Sequence, residues 1–418
     1  MQCKSIVLGV ILAGAAVTTP TAATSQDLPP DIVTTAYLTD TIADYGAVGG
    51  VTVDALGYVY VADFRNAVWR YGADGVLTKF ADGLYGASGN AIGPRGYLYQ
   101  SSFNGNYISR ISRTGDVETW VDDGLNGPVG IATDPDGTLY VVNCSGNSVS
   151  RVSPDREVTE FARHELMACP NGITFDDRGD LYVVSFNNTQ VLRITPDGTV
   201  HEFADVVGAG GNGHITFARG AFYVTKLRGN QIFRVQRDGT VTTLAGTGAP
   251  GGDDGPALTA TFTRPNGIAA SPSGNELWIN DHVTGQGLGV GVSVVALRRI
   301  QLVSLGDVMA ELPAGADAAR IEALYDAYHD ARAGENSSAG AITLAYSWLS
   351  SGRVAEALTL FALNADRYAE DPNSLFHFGE SFRYTGQLEQ AATQYRRVLE
   401  IDPDHSSAST RLAEVTGG

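Results

Sequence analysis

Six times between Val51 and Leu305 one short phrase recurs, and no other feature limits the possible folds so strongly. Each copy is a Tyr- or Trp-centred strand: YVYVAD (58–63), YLYQSS (97–102), LYVVN (139–143), LYVVS (181–185), FYVTK (222–226) and LWIND (277–281). The central aromatics Tyr60, Tyr99, Tyr140, Tyr182, Tyr223 and Trp278 are separated by 39, 41, 42, 41 and 55 residues. Steps of about forty residues suit one four-stranded sheet per copy. One such sheet cannot bury both its faces alone, so the pattern predicts an all-β six-bladed propeller over 46–308. In such a fold, function resides in the loops at one end of the central channel.

The third copy displays the unit most cleanly. Strands are expected at 130–133, 138–143, 148–152 and 157–161, separated by turns at Pro135-Asp136-Gly137 and Pro154-Asp155. An Arg closes the third strand in five copies: Arg70, Arg110, Arg151, Arg193 and Arg234. Five repeats point to structure rather than catalysis, with each Arg tying neighbouring turns by charge-assisted hydrogen bonds. The sixth copy lacks the usual Asp-Gly turn before its last strand, and the segment 32–38, upstream of the first copy, is the candidate to close the ring.

Beyond about residue 305 the composition shifts from Gly, Val, Thr and Tyr to Ala, Leu, Glu and Arg, which predicts a small all-α domain over 314–418. The net charge of −18 argues against nonspecific binding to nucleic acid or anionic membrane. At the start, Lys4 precedes an apolar run from Ile6 to Val17 and small residues at Ala22 and Ala23. That layout is a secretory signal peptide over 1–23, followed by a segment (24–45) that contains the ring-closing candidate, and implies export to the periplasm or beyond. No later stretch is long and apolar enough to span a membrane. Cys144 and Cys169 then remain, either as two buried thiols or, because both fall at the rim of adjacent copies, as a disulfide.

The repeats GPVGIATDPDGTLYVV and CPNGITFDDRGDLYVV, with TLAGTGAPGGDDGPALTATFTRPNGIA (243–269), resemble the NHL-repeat and gluconolactonase (regucalcin-like) group of six-bladed propellers. They are similar also to virginiamycin B lyase repeats. Further on, GRVAEAL (352–358) and GQLEQAA (386–392) lie 34 residues apart, each followed by an Asp-Pro, and resemble tetratricopeptide repeats. That resemblance implies a concave face carrying Tyr346, Asn373, His377 and Arg383, open to a protein or peptide or packed against the chain itself.

In a four-stranded antiparallel blade, the loop entering the first strand and the loop leaving the second share one end of the channel. At the first position stand Gly49, Asn90, Val129, Asn171, His214 and Asn266; at the second, Asp63, Ser102, Asn143, Ser185, Lys226 and Asp281 with His282. The gluconolactonase resemblance implies a divalent metal, such as calcium, at this rim, and would make Asn171 a ligand. Only Asp63 and Asp281 offer carboxylates there, and the first-copy position, Gly49-Gly50, lacks the Glu of that family. His214 is the candidate general base. The lyase resemblance implies channel His and Glu residues with magnesium, but no Glu stands at the rim. Asn143, Lys226 and Asn266 are candidate ligand-binding residues, with Lys226 pairing either an anionic ligand or Asp63 or Asp281. The Gly251–Gly255 loop reads as a connector, with a lid or a calcium loop as alternatives. Two functions follow: an exported scaffold that binds a ligand or partner through its rim, or a metal-dependent hydrolase of lactones or esters.

Overall fold

A computed structural model describes residues 28–39, 49–284, 293–310 and 312–417. The leader read from the sequence, Cys3 and the Gly-rich stretch after Thr284 lie outside the described residues.

Six antiparallel sheets form a propeller, and in five of them each strand pairs with the next in sequence. We call the strands of a blade A to D. Blade 3, for example, comprises Pro128–Thr133, Leu139–Asn143, Ser148–Val152 and Val158–Arg163. The recurring aromatic lies on strand B for a packing reason. In blades 1 to 4 it meets a strand-D aromatic edge-on: Tyr60 with Phe80, Tyr99 with Trp120, Tyr140 with Phe161 and Tyr182 with Phe203, at 4.9 to 5.9 Å between ring centres.

Opposite this aromatic, strand C places an Arg in every blade, Arg299 facing Trp278 being the sixth. These arginines serve their blades differently from a uniform turn-to-turn tie. Arg70 stacks over Tyr58 and Phe80 and Arg110 over Tyr97 and Trp120. Arg193, Arg234 and Arg299 pair with Asp180, Glu335 and Glu276.

Around the axis, strands A approach so closely that little but glycine fits. A Cβ at Gly89 would lie 2.3 Å from the Val129 carbonyl oxygen, and one at Gly130 2.5 Å from that of Asn171. The same position holds Gly50, Gly172 and Gly267 in three other blades and His214 in blade 5. Donors from one blade then reach carbonyls of the next: Gly50 N–H to Ser88, Ser101 Oγ to Val129, Asn171 Nδ2 to Gly213, Thr225 Oγ1 to Asn266 and Asn280 Nδ2 to Gly49. These bonds satisfy buried carbonyls that no strand ladder reaches.

Blade 6 draws on both ends of the propeller sequence. Ile32–Thr39 pairs antiparallel with Ser293–Gln301, which pairs with Glu276–Thr284 and then Ile268–Ala270. The Gly251–Gly255 loop fastens this closure. Asp254 accepts from the Thr35 N–H and Oγ1, both at 2.9 Å, and from Arg298 Nη2 at 2.9 Å. Arg298 is wholly buried, and its other guanidinium nitrogen faces Asp281 at 3.4 Å.

One compact unit contains Pro29–Ala310 together with His329–Ala341. The latter segment belongs with the propeller because the buried Glu335 carboxylate lies 2.9 Å from Arg219 and 3.5 Å from Arg234 of blade 5. Arg332 of the same segment reaches Asp31 at 2.6 Å. The second unit contains Glu311–Tyr328 and Ile342–Gly418 and is helical. There Asp371 caps the helix Pro372–Tyr384 through the Asn373 and Ser374 N–H groups, and Tyr395 packs where Gly379 leaves room. Tyr346 and His377 are joined by a 2.9 Å hydrogen bond, and Arg383 pairs with Glu380. No described helix is long and apolar enough to cross a membrane.

Candidate functional site at the channel mouth

In five of the six blades the residue three after the strand-B aromatic serves the scaffold. Asp63 folds over its own turn, accepting from the N–H groups of Arg65 (2.8 Å) and Ala67 (3.0 Å). Asn143 accepts from the Asn126 N–H at 3.0 Å, Ser185 from Ala168 at 3.2 Å and Asp281 from Thr263 at 2.9 Å. Lys226 donates to the Val206 carbonyl at 2.5 Å and to Asn212 Oδ1 at 3.3 Å. From Asn143 onward, each therefore holds the segment that leads into its own blade. Lys226 meets neither Asp63 nor Asp281, and burial lowers its ammonium to about 8.

One residue further on, the chain turns into the mouth, where blades 1 to 5 place Phe64, Phe103, Cys144, Phe186 and Leu227. Backbone bonds fix this wall: the N–H groups of Phe103, Cys144 and Phe186 donate to the carbonyls of Gly86, Gly127 and Cys169. Cys144 and Cys169 are joined by a disulfide that itself lines the mouth. Beneath lie Ser88, Val129, Asn171 and Asn266 from strands A and their approaches. Arg264, exposed at the lip, is the one charged residue among the described lining. Together they enclose a cavity of about 190 Å³.

Thus Asn171 and Asn266 meet at the mouth, together with both cysteines, whereas Asp63, Asn143, Lys226 and Asp281 do not line it. In blades 1 to 5 the chain turns immediately after this position, so the following side chain and not its own faces the mouth: Phe64 has a left-handed φ of 54°, and Phe103, Cys144, Phe186 and Leu227 each begin a turn. The signal was present: Phe64, Phe103 and Phe186 recur directly after strand B, where a polar loop residue would be ordinary.

His214 fills the glycine position of blade 5, and its backbone N–H donates to Thr225 Oγ1 at 2.8 Å and the Asn266 carbonyl at 3.1 Å. Burial alone lowers its imidazole to about 4, which leaves it neutral and weakly basic at pH 7. It does not line the mouth.

The residues present do not fit a catalytic divalent cation. Among the described residues, no group of three or more His, Cys, Asp or Glu is placed to hold a metal ion. The Asp63 carboxylate is engaged by backbone donors, and burial pushes Asp281 up to about 8 against the pull of Arg298. A hard cation would find only amide and hydroxyl oxygens at the mouth.

A sequence model of the virginiamycin B lyase family matches residues 49–204. The match spans blades 1 to 4. Virginiamycin B lyase from Staphylococcus aureus is 19% identical, with 65% of this chain and 99% of that one covered at a TM-score of 0.48. A gluconolactonase from Xanthomonas campestris is also 19% identical, with 66% and 96% covered and a TM-score of 0.49. An auxiliary nutrient binding protein from Bacteroides thetaiotaomicron is 16% identical, with 65% and 76% covered and a TM-score of 0.53, a likeness of fold. No curated protein matches the sequence.

Proposed function

We propose that the propeller is a binding module whose channel mouth takes a small aromatic or aliphatic molecule bearing a carboxylate. The observation that carries this reading is the composition of the mouth: three Phe, a Leu and a disulfide around amide and hydroxyl groups, with Arg264 at the lip. An apolar wall with few polar groups is the usual chemistry of a small-molecule site. The ligand's apolar body would lie against Phe64, Phe103 and Phe186, and its carboxylate would face Arg264 and the Asn171 and Asn266 amides. Hydrolysis of a lactone or ester would need a metal or a base near neutrality. The carboxylates suited to the first are engaged in the scaffold, and His214 is too weakly basic for the second. Export is part of the proposal, supported by the leader-like N-terminus and by a disulfide, which persists in oxidising compartments.

Titration calorimetry with a panel of arylalkyl carboxylates and their amides tests the reading. Saturable 1:1 binding of a carboxylate, weakened about tenfold by Phe186→Ala and by Arg264→Ala, is expected. Binding indifferent to both substitutions would overturn it.

A further inference from the structure

At the opposite end of the propeller, where the A–B and C–D turns lie, blades 1 and 2 part to form a cleft of about 460 Å³ lined by Arg70, Arg95 and Arg113. In a chain of net charge −18, three guanidiniums here face one carboxylate, Asp54. That carboxylate is already engaged, one oxygen accepting from the N–H groups of Leu56 and Tyr58 and the other from the Tyr60 hydroxyl.

The other blades reveal what this cleft lacks. In blades 1, 3 and 4 the A–B turn begins with Asp54, Asp134 or Asp176, whose carboxylate accepts from the turn's own N–H groups. Blade 2 has Gly93 at that position, and Arg95 two residues on, where blade 3 has Asp136. Arg113 occupies the C–D turn position that Arg237 holds in blade 5. Arg237 crosses to the preceding blade and pairs with Asp176 at 3.4 Å and Asp177 at 2.5 Å. In blade 1 the counterpart of Asp177 is Ala55, and Asp54 is held by Tyr60. Among the described residues, none of the three cleft arginines forms an ion pair, although Arg110, Arg193 and Arg234 do.

The arginines are nevertheless positioned. Arg113 donates to the Arg95 carbonyl at 2.8 Å, over Gly96, where a Cβ would lie 2.7 Å from Arg113 Nε. Arg95 itself is held at a φ of 72°, an uncommon conformation for a residue with a side chain. Arg70 is stacked over Tyr58 at 4.8 Å. Leu56, 83% exposed, forms an apolar lip.

We infer that this cleft binds a small organic molecule bearing a phosphate or sulfate ester group, its anionic oxygens held by the guanidiniums and its body against Leu56 and Tyr58. Guanidinium groups match such oxyanions in geometry and charge, and carboxylates like those that pair Arg193 and Arg237 elsewhere in the propeller are missing here for Arg70 and Arg113.

Calorimetry on the full chain at low ionic strength, with a hexose phosphate, a hexose sulfate and the neutral hexose, tests the inference. Either anion should bind 1:1 while the neutral sugar does not, and which binds more tightly identifies the source. Arg95→Asn, which keeps a residue tolerant of positive φ, and Arg113→Gln should each weaken binding about tenfold or more. Both side chains belong to exposed residues, and circular dichroism would verify that the variants fold. Equal affinity in the wild type and both variants, loss only in Arg264→Ala, or no saturable binding up to about 10 mM would overturn it.

Discussion

Replacing His214 by Gln should flatten the acid limb of the propeller's stability curve. The imidazole is lowered from 6.5 to about 4 by burial, with no charged neighbour contributing. The folded state therefore disfavours the protonated form. The stability associated with the neutral ring is complete above pH 6.5 and is lost as pH falls through the interval down to about 4. A shift of this size corresponds to roughly 3 kcal/mol, of which about 2 kcal/mol is gone by pH 5. Urea unfolding of both proteins at pH 7.5 and pH 5, followed through the propeller transition, isolates the effect because every other titrating group is shared. The wild type should lose about 2 kcal/mol more than the variant between the two conditions. Equal losses would mean that the ring is hydrated or ion-paired in solution, refuting its placement in the glycine ring.

Three further outcomes follow from the same geometry. Replacing Cys144 and Cys169 together by Ser opens a link across 25 residues and should cost about 3.5 kcal/mol by the chain-entropy relation, read as a lowered urea midpoint that reductant no longer changes. Arg298→Met removes the buried donors to the Thr261 and Asp253 carbonyls and frees the Asp254 loop, so it should destabilise by about 2–3 kcal/mol, whereas Asp254→Asn, at a partly exposed site, should cost far less. Asn171→Ala removes the donor to the Gly213 carbonyl and should cost about 1–3 kcal/mol in thermal or urea unfolding while also weakening ligand binding at the mouth.

The repeat phrase made the propeller legible because five copies each encode one whole blade, with the aromatic and the Arg in fixed register, and the sixth needs only the strand 32–39 to complete it. The site was less legible. Asn171 and Asn266 stood out because each precedes the strand-A glycine in a Pro-Asn-Gly phrase, and both line the mouth. Asp63, Lys226 and Asp281 stood out equally, but as exceptions they had been recruited to different loop fastenings, which depend on contacts with residues such as Val206 and Thr263 that no spacing reveals. The Phe wall was hidden by the opposite bias, since aromatic residues beside a strand look like core. The Gly251–Gly255 loop likewise found its role through Thr35, more than two hundred residues away.

The proposed function assigns binding, and not hydrolysis, to the mouth. A panel of lactones and aryl esters, supplied with calcium, magnesium, manganese or zinc, tests it most directly when wild type and Asn171→Ala are compared. No turnover above the metal-only background is expected in either protein. Metal-dependent turnover by the wild type that disappears in Asn171→Ala would contradict it.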